Sequence, residues 1–201
     1  MSKLILGILA SGNGSNCRAI HKAITDGLCK AQIGVIISNH AEAGVLQFAR
    51  ENGIPAFHIA SEQFSEISEF HAAIKNCLSQ HQVHLVVLAG YMKKIGKPIL
   101  DIYPNRIINI HPALLPAFGG KGMYGHHVHQ AVLEYGAKIT GVTVHFVDPE
   151  YDHGKIILQK AVEVMEDDNV ESLSARVLKA EHETYYKAIN LFANEYAENT
   201  F

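Results

Sequence analysis

An amide and an imidazole stand two residues apart at the end of an apolar run. Residues 106–110 are rich in β-branched side chains, which predicts a buried strand, and Pro112 ends the ladder because it has no N–H to donate. Side chains two apart on a strand point the same way, so Asn109 and His111 are expected to face one point. Two converging N–H donors suit the oxyanion of an acyl transfer. The alternative is a hydrogen-bonded core amide beside a turn histidine.

A second group of residues suited to chemistry follows a predicted first strand at residues 4–10. The turn Ser11-Gly12-Asn13-Gly14-Ser15-Asn16 leads into a predicted helix at residues 17–30, with Ser15 or Asn16 as its N-cap. Backbone N–H groups and the helix dipole at such a turn attract phosphate. Cys17 replaces the third glycine of the dinucleotide pattern and no Gly-Lys-Ser/Thr follows, so a monophosphate is favoured over NAD or ATP. A plain, well-capped turn stays open as the alternative.

An acidic loop at residues 148–154 joins two predicted hairpin strands, 142–147 and 155–164. Asp152 in this loop is the candidate carboxylate partner of His111. Such a partner would stabilise the imidazolium and fix the orientation of the ring. Asp152 could equally be a turn residue before Gly154.

Glycines and histidines cluster between these segments. Four glycines at residues 119–125 predict a mobile loop, plausible as a lid beside the site. His126, His127 and His129 open a predicted helix that runs to residue 135. Their spacing does not put the three rings on one face of the helix, and no Cys, Asp or Glu stands nearby at the spacing of a metal ligand. Contact with a substrate, or a polar role at the helix end, is therefore favoured over a metal site.

The elements that must position these residues alternate along the chain. Further strands are predicted at residues 33–38, 54–59 and 83–89, and further helices at 43–51, 64–80 and 170–195. The run Leu85 to Leu88 is apolar throughout, as expected of a strand covered on both faces. This alternation predicts an α/β fold of three layers, with helices on both faces of the sheet. We expect one domain over residues 1–201, with a phosphate-binding half at 1–105 and a catalytic half at 106–201.

Composition narrows the class of protein. The chain has 201 residues, 48% of them hydrophobic and 18% charged, with a net charge of −3. We therefore expect neither a nucleic-acid nor a membrane partner. The three cysteines include no C-x-x-C pair, which favours a cytoplasmic protein without a disulfide framework or structural zinc. Residues 1–10 are interpreted as a first strand, not as a signal peptide.

Three motifs in combination resemble the folate-dependent formyltransferase family. They are Asn109-Ile110-His111-Pro112-Ala113-Leu114-Leu115-Pro116, then Val144-His145-Phe146-Val147, then Asp152-x-Gly154. The opening Ser11–Asn16 turn is similar to that of the family branch acting in purine biosynthesis on 5-phosphoribosylglycinamide. The resemblance implies a mixed, mainly parallel sheet with a Rossmann-like first half, and a cis bond at Leu115-Pro116. It also implies transfer of a formyl group from 10-formyltetrahydrofolate, a co-substrate, to the amine of the glycinamide. The products would be phosphoribosyl-N-formylglycinamide and tetrahydrofolate, formed without a metal by a monomer or homodimer.

The resemblance also implies a role for individual residues. The catalytic group would be Asn109, His111 and Asp152. The substrate phosphate would lie on Gly14, Ser15 and Asn16. The glycinamide end would contact four residues of the last helix: Leu178, Lys179, Ala180 and Glu181. The folate would lie against two segments: Met92, Lys93, Lys94 and Ile95, and Asn109 with Asp148, Pro149, Glu150, Tyr151 and Asp152.

The chain departs from the family pattern at two positions. Lys93 stands where the family often has arginine, and an arginine early in the helix at residues 64–80 has no counterpart, Ile67 being nearest. The residues that pair with the folate tail are therefore not assigned.

Three other functions stay open. A formyltetrahydrofolate deformylase would share the catalytic group but usually carries an N-terminal regulatory domain. A methionyl-tRNA formyltransferase would need a basic RNA-binding domain, and a non-catalytic nucleotide-binding module would need only the fold.

Overall fold

The fold is seen in a computed structural model that describes residues 3–198. The strands are β1 (Leu4–Leu9), β2 (Ala31–Ser38), β3 (Ala56–His58), β4 (Leu85–Leu88), β5 (Ile107–His111), β6 (Ile139–Phe146) and β7 (Ile156–Glu163). The helices are α1 (Ser15–Thr25), α2 (Gly44–Glu51), α3 (Ile67–Gln80), α4 (Lys97–Leu100), α5 (His126–Tyr135) and α6 (Val170–Glu198), with a 3-10 turn at Ser61–Gln63.

All the strands belong to one seven-stranded sheet in the order β3-β2-β1-β4-β5-β6-β7. The first five are mutually parallel, whereas β6 runs antiparallel to β5 and β7 antiparallel to β6. The predicted α/β class, mixed sheet and hairpin are confirmed. The strand order reverses at β1, which has β2 on one side and β4 on the other. Ligands of open α/β sheets bind at such a reversal, outside the carboxyl ends of the strands.

Helices cover both faces of the sheet, as the apolar strands predict. On one face α1, α2 and α6 bury Ile20, Leu46 and Ile189 against the side chains of Leu6 and Ile8. On the other face α3 and α4 pack on side chains that alternate with these, such as Leu9 and Val86. A third cluster joins α5 and α6 to the hairpin. No helix within residues 3–198 is both long and apolar enough to cross a membrane.

Several element boundaries differ from the sequence predictions. Helix α1 begins at Ser15 rather than residue 17, and its N-cap is Gly14 in a left-handed conformation, so the predicted cap at Ser15 or Asn16 is wrong. The same helix ends at Thr25 because Gly27 turns the chain with φ +75°, which leaves Leu28 exposed. Helix α3 begins only at Ile67, where the Glu69 carboxylate accepts a hydrogen bond from Glu66 N–H.

Candidate active site

A cleft of about 640 Å³ opens at the carboxyl edge of the sheet. One wall is formed by the end of β5, with Asn109 and His111, and by the segments after β4 and β6. The other wall is formed by the first turn of α1 and by residues of α5 and α6. The glycine-rich loop at residues 120–125 lines the mouth. The cleft thus occupies the edge that the topology favours for a ligand.

A buried serine joins three of the strand ends around the cleft. Ser11, just after β1, donates its hydroxyl to Asn39 Oδ1 at 2.6 Å and accepts a hydrogen bond from Met92 N at 2.8 Å. Its own N–H donates to Gly90 O at 3.0 Å. These bonds fix the segment after β4 relative to the glycine turn after β1. The predicted folate segment, Met92 to Ile95, lines the cleft as a consequence.

Asn109 is held by a histidine on the neighbouring strand. The β5–β6 register pairs Asn109 with His145, and the Asn109 amide donates to His145 Nε2 at 3.2 Å. His145 Nδ1 donates to Phe146 O at 2.8 Å, and burial lowers the pKa of His145. A neutral ring with its proton on Nδ1 must accept at Nε2, which orients the Asn109 amide. His145 Nε2 also lies 3.7 Å from Asp152, but a neutral ring forms no ion pair.

His111 is buried, with one ring nitrogen toward Asp152 and the other toward the loop. Its Nδ1 lies 3.5 Å from Asp152 Oδ2, and its Nε2 donates to Phe118 O at 2.8 Å. Asn109, His111 and Asp152 therefore meet at one end of the cleft, as the spacing and the acidic loop predict. In this conformation the Phe118 carbonyl holds the Nε2 proton of His111.

The loop that carries Asp152 is shaped by its backbone. Asp152 has φ +54°, a left-handed conformation that aspartate tolerates better than most residues. At Gly154 a Cβ atom would overlap the carbonyl of Phe146, so only glycine fits. Asp152 Oδ2 also accepts a hydrogen bond from Gly120 N at 2.9 Å, and Asp148 accepts one from Glu150 N at 2.7 Å. The glycine-rich loop thus fixes the Asp152 carboxylate by a hydrogen bond, while the backbone of the Asp152 loop sets where the side chain starts.

The predicted phosphate turn begins α1 on the opposite wall. Ser15 and Asn16 line the cleft, and Gly14 lies behind them, where a Cβ atom would overlap Val45. The first backbone bond of the helix runs from Arg18 N to Gly14 O at 2.8 Å. The N–H groups of residues 15–17 precede that bond and so have no partner within the helix. They form the positive end of α1, which suits a phosphate monoester.

A buried carboxyl group faces this turn from α6. Glu181 Oε2 accepts a hydrogen bond from Asn16 Nδ2 at 2.7 Å, and no cation pairs with Glu181 within residues 3–198. Burial raises the pKa of Glu181 to about 7. Within the same part of the chain, three cleft-lining residues have a buried atom without a hydrogen-bond partner: Asn16 Oδ1 and His129 Nδ1 on this wall, and Tyr91 Oη on the segment after β4. This wall therefore offers polar groups that a substrate can satisfy.

Four of the predicted binding residues, Gly14 among them, do not line the cleft. On α6, Leu178 and Glu181 share a face and line the cleft, whereas Lys179 points to solvent and Ala180 packs in the core. A run of four neighbours cannot share one side of a helix, because successive side chains are about 100° apart. Pro149 lies outside the lining, although Asp148 and the residues 150–152 contribute to it.

Of the three clustered histidines, only His129 lines the cleft. His126 and His127 have ring centroids 4.1 Å apart. Within residues 3–198 no group of three His, Cys, Asp or Glu side chains is placed to hold a metal ion.

The prediction from sequence did not assign a role to the residues that support the site. His145 orients Asn109, and Thr143 two residues earlier donates its hydroxyl to Ala113 O at 2.7 Å and accepts from Leu115 N at 3.0 Å. Gln159 donates to Leu115 O at 3.1 Å. The Leu115–Pro116 bond within this segment is cis, as the resemblance implies. Alternation along β6, where polar Thr143 and His145 alternate with apolar neighbours, was a signal that could have identified them.

The sequence and fold match known proteins over most of the chain. The family model described as formyl transferase matches residues 5–189. A chloroplastic phosphoribosylglycinamide formyltransferase of Arabidopsis thaliana is 43% identical over 94% of this chain and 65% of its own length. The chain spans 61% of the related Vigna unguiculata protein, and 91% of the Bacillus subtilis phosphoribosylglycinamide formyltransferase, to which it is 38% identical.

A solved structure has the same architecture. Glycinamide ribonucleotide transformylase 1 from Symbiobacterium toebii superposes with a TM-score of 0.90 at 42% identity, covering 96% of this chain and 89% of that one. A formyltetrahydrofolate deformylase from Pseudomonas syringae, 24% identical with a TM-score of 0.85, shares the fold. The family match, the relatives and the superposition agree, and the chain belongs to the formyl transferase family.

Proposed function

We propose that the protein transfers the formyl group of 10-formyltetrahydrofolate to the amine of 5-phosphoribosylglycinamide. The observation that carries the proposal is the convergence of Asn109, His111 and Asp152 across the cleft from Glu181 and the positive end of α1. A substrate with an amine nucleophile at one end and a phosphate at the other matches this arrangement. Its amine would face the catalytic residues, and its phosphate would face the positive end of α1. The relatives' names support the same substrate.

Asn109 and His111 are proposed to stabilise the oxyanion that forms on the formyl oxygen. His145 engages the Asn109 amide, and an amide nitrogen carries two protons, so the second N–H is available to the oxyanion. His111 contributes in its imidazolium form, stabilised by Asp152. For His111 to reach the substrate, the Phe118 carbonyl must release the Nε2 proton, which requires a shift of the loop at residues 118–125.

Asp152 is also proposed to move a proton, through a water molecule, from the attacking amine to the departing nitrogen of the folate. General acid–base steps of this kind contribute about 10²–10⁴-fold to a rate. The amine nitrogen gains the formyl carbon and loses a proton, and the folate nitrogen loses that carbon and gains the proton. The chain supplies positioning and charge, and the reaction needs no redox partner.

Binding is assigned to the residues that line the two walls. Ser15 and Asn16, with Gly14 behind them, take the phosphate; Leu178 and Glu181 face the glycinamide end. The folate lies between the segment at residues 92–95 and the loop at residues 148–152, where the Lys94 ammonium stands 5.5 Å from the Tyr151 ring centroid. The catalytic residues come from one chain, so a monomer suffices, and a homodimer would carry two independent sites.

A cytoplasmic location is part of the proposal. Cys17, Cys29 and Cys77 are buried and unpaired, and burial raises the pKa of Cys17 to about 12. Unpaired thiols are typical of proteins kept in a reducing compartment. Relatives in plants are described as chloroplastic.

The proposal is tested by following 10-formyltetrahydrofolate spectrophotometrically with and without phosphoribosylglycinamide. We expect turnover that requires the glycinamide and yields the formylated product one for one. Turnover at the same rate without the glycinamide would identify water as the acceptor and replace the proposal with a deformylase. Absence of turnover together with absence of folate binding by calorimetry would leave a nucleotide-binding module.

A further inference from the structure

A second cleft, of about 820 Å³, lies at the opposite edge of the sheet, where β1, β4, β5 and β7 begin. We call it the amino-edge cleft; it is lined by Leu4, His84, Leu85, Pro104, Asn105, Arg106, Phe146, Val147, Asp148, Gly154, Lys155, Phe192, Glu195 and Tyr196. Apart from Val147 and Asp148, which also line the first cleft, none of these residues takes part in the proposed reaction or in substrate binding. Its volume falls in the range of clefts that bind small molecules, about 300–1,000 Å³.

Two of its cations have no carboxylate partner among residues 3–198. Neither Arg106 nor Lys155 forms an ion pair with any residue between positions 3 and 198. The Arg106 guanidinium lies 5.5 Å from the Tyr103 ring centroid and donates one hydrogen bond, to Ile102 O at 3.2 Å. A guanidinium has five N–H donors, so most remain for an anion. Arginine and lysine at the same cleft suit a phosphate group.

The same cleft is also lined by aromatic side chains that contact one another. The Phe146 and Phe192 rings meet edge to face with centroids 5.9 Å apart, and the His84 and Tyr196 rings lie 4.5 Å apart at 34°. His84 Nδ1 accepts a hydrogen bond from Ile5 N at 3.1 Å, so its proton is on Nε2, 3.3 Å from the Tyr196 hydroxyl. Burial and the Arg106 charge lower the pKa of His84, which keeps this ring neutral. Aromatic side chains of this kind pack favourably against the planar ring of a ligand.

The cleft's two carboxylates have different partners. Asp148 is engaged by His153 Nδ1 and by Glu150 N, both at 2.7 Å. Glu195 has no ion-pair partner in the described chain and can accept hydrogen bonds from sugar hydroxyls or an amino group. Backbone hydrogen bonds hold the two cationic residues in the sheet: Val86 N donates to Arg106 O, and Phe146 N donates to Lys155 O, both at 2.9 Å.

We propose that the amino-edge cleft is a second ligand site, which takes a nucleoside monophosphate. Its phosphate lies against Arg106 and Lys155, and its base lies against the aromatic side chains. Glu195 accepts hydrogen bonds from the ribose hydroxyls. This inference stands independently of the reaction proposed for the first cleft.

The test is calorimetric titration of the full chain with AMP, in parallel with adenosine and ribose 5-phosphate. We expect AMP to bind with a Kd below about 1 mM and each fragment to bind at least about tenfold more weakly. The double variant Arg106→Gln/Lys155→Gln should weaken AMP at least about tenfold, because both phosphate contacts are lost. The control Arg50→Gln/Lys75→Gln makes the same change in charge at exposed positions elsewhere and should keep the affinity.

Three results would overturn the site. These are no AMP binding at about 10 mM, equal affinity in the double variant and the wild type, or equal affinity for AMP and ribose 5-phosphate. Equal affinity in the double variant would place AMP in the catalytic cleft. Thermal unfolding checks that both double variants fold, and Lys155→Gln alone, at an exposed strand end, should still weaken AMP about threefold.

Discussion

The two walls of the catalytic cleft differ in how completely their polar groups are satisfied. On the wall of β5, β6 and the Asp152 loop, Asn109 is bonded to His145, His111 to Phe118, and Asp152 to Gly120. On the wall of α1, α5 and α6, Glu181 has only Asn16, while Asn16 Oδ1 and His129 Nδ1 have no partner within residues 3–198. One wall is organised before the substrate arrives, and the other is completed by it.

This difference predicts which variants change the rate of the reaction and which change the affinity for the substrate. Groups whose positions are already fixed can act on charge that develops during the reaction, so their loss should lower kcat. Groups that gain their partners from the substrate should mainly affect KM. Variants on the two walls test this separation directly.

The largest effect is expected on the organised wall, at Asp152 and His111. Asp152→Asn keeps the shape but removes the charge beside His111, and His111→Ala removes the ring, so each should lower kcat at least about 100-fold. Stopped assays of kcat and KM, with thermal unfolding to verify folding, provide the measurement. Asp148→Asn is a matched control in the same loop and should lower kcat less than about tenfold. Near-normal kcat in both variants would remove the proposed mechanism.

Asn109→Ala should lower kcat by at least about tenfold, about 1.4 kcal/mol in the barrier, because one oxyanion donor is lost. His145→Phe removes the acceptor that orients Asn109 and should lower kcat less, with little effect on either KM. A larger loss from His145→Phe than from Asn109→Ala would contradict the positioning role. It would indicate that His145 contacts the substrate itself.

The organised wall was the easier one to predict from sequence. Alternation on a strand placed Asn109 and His111 together, and the acidic loop at residues 148–154 supplied Asp152 as the candidate partner of His111. Partners distant in sequence were harder, because the Asn16–Glu181 bond joins residues 165 positions apart. Of the expected run at residues 178–181, two members do not line the cleft, because a helix turns each side chain away from the last. The contact between His111 and Phe118 depends on loop geometry, for which the sequence offers no periodicity.

On the second wall, the variant Glu181→Gln tests the comparison through the free energy of unfolding. Burial raises the pKa of Glu181 from 4.5 to about 7, so between these values the folded chain keeps a proton that the unfolded chain releases. The wild type's free energy of unfolding should therefore fall, relative to the variant's, by about 3 kcal/mol as pH rises through this window. Urea unfolding at pH 4.5 to 7.5 measures the difference, with exposed Glu171→Gln as the control. A pH-independent difference would show that Glu181 ionises as readily as a solvated carboxyl group.

The smallest effect is expected from Ser15→Ala. Backbone N–H groups of residues 15–17 supply most of the proposed phosphate contact, and alanine keeps them, so only the hydroxyl is lost. The KM for phosphoribosylglycinamide should rise about three- to tenfold, the effect of one hydrogen bond to a charged group, with kcat little changed. The KM for the formyl donor serves as an internal control, since Ser15 stands on the wall away from the folate segments. A rise confined to the KM of the formyl donor would assign Ser15 to the folate and leave the α1 turn without its proposed ligand.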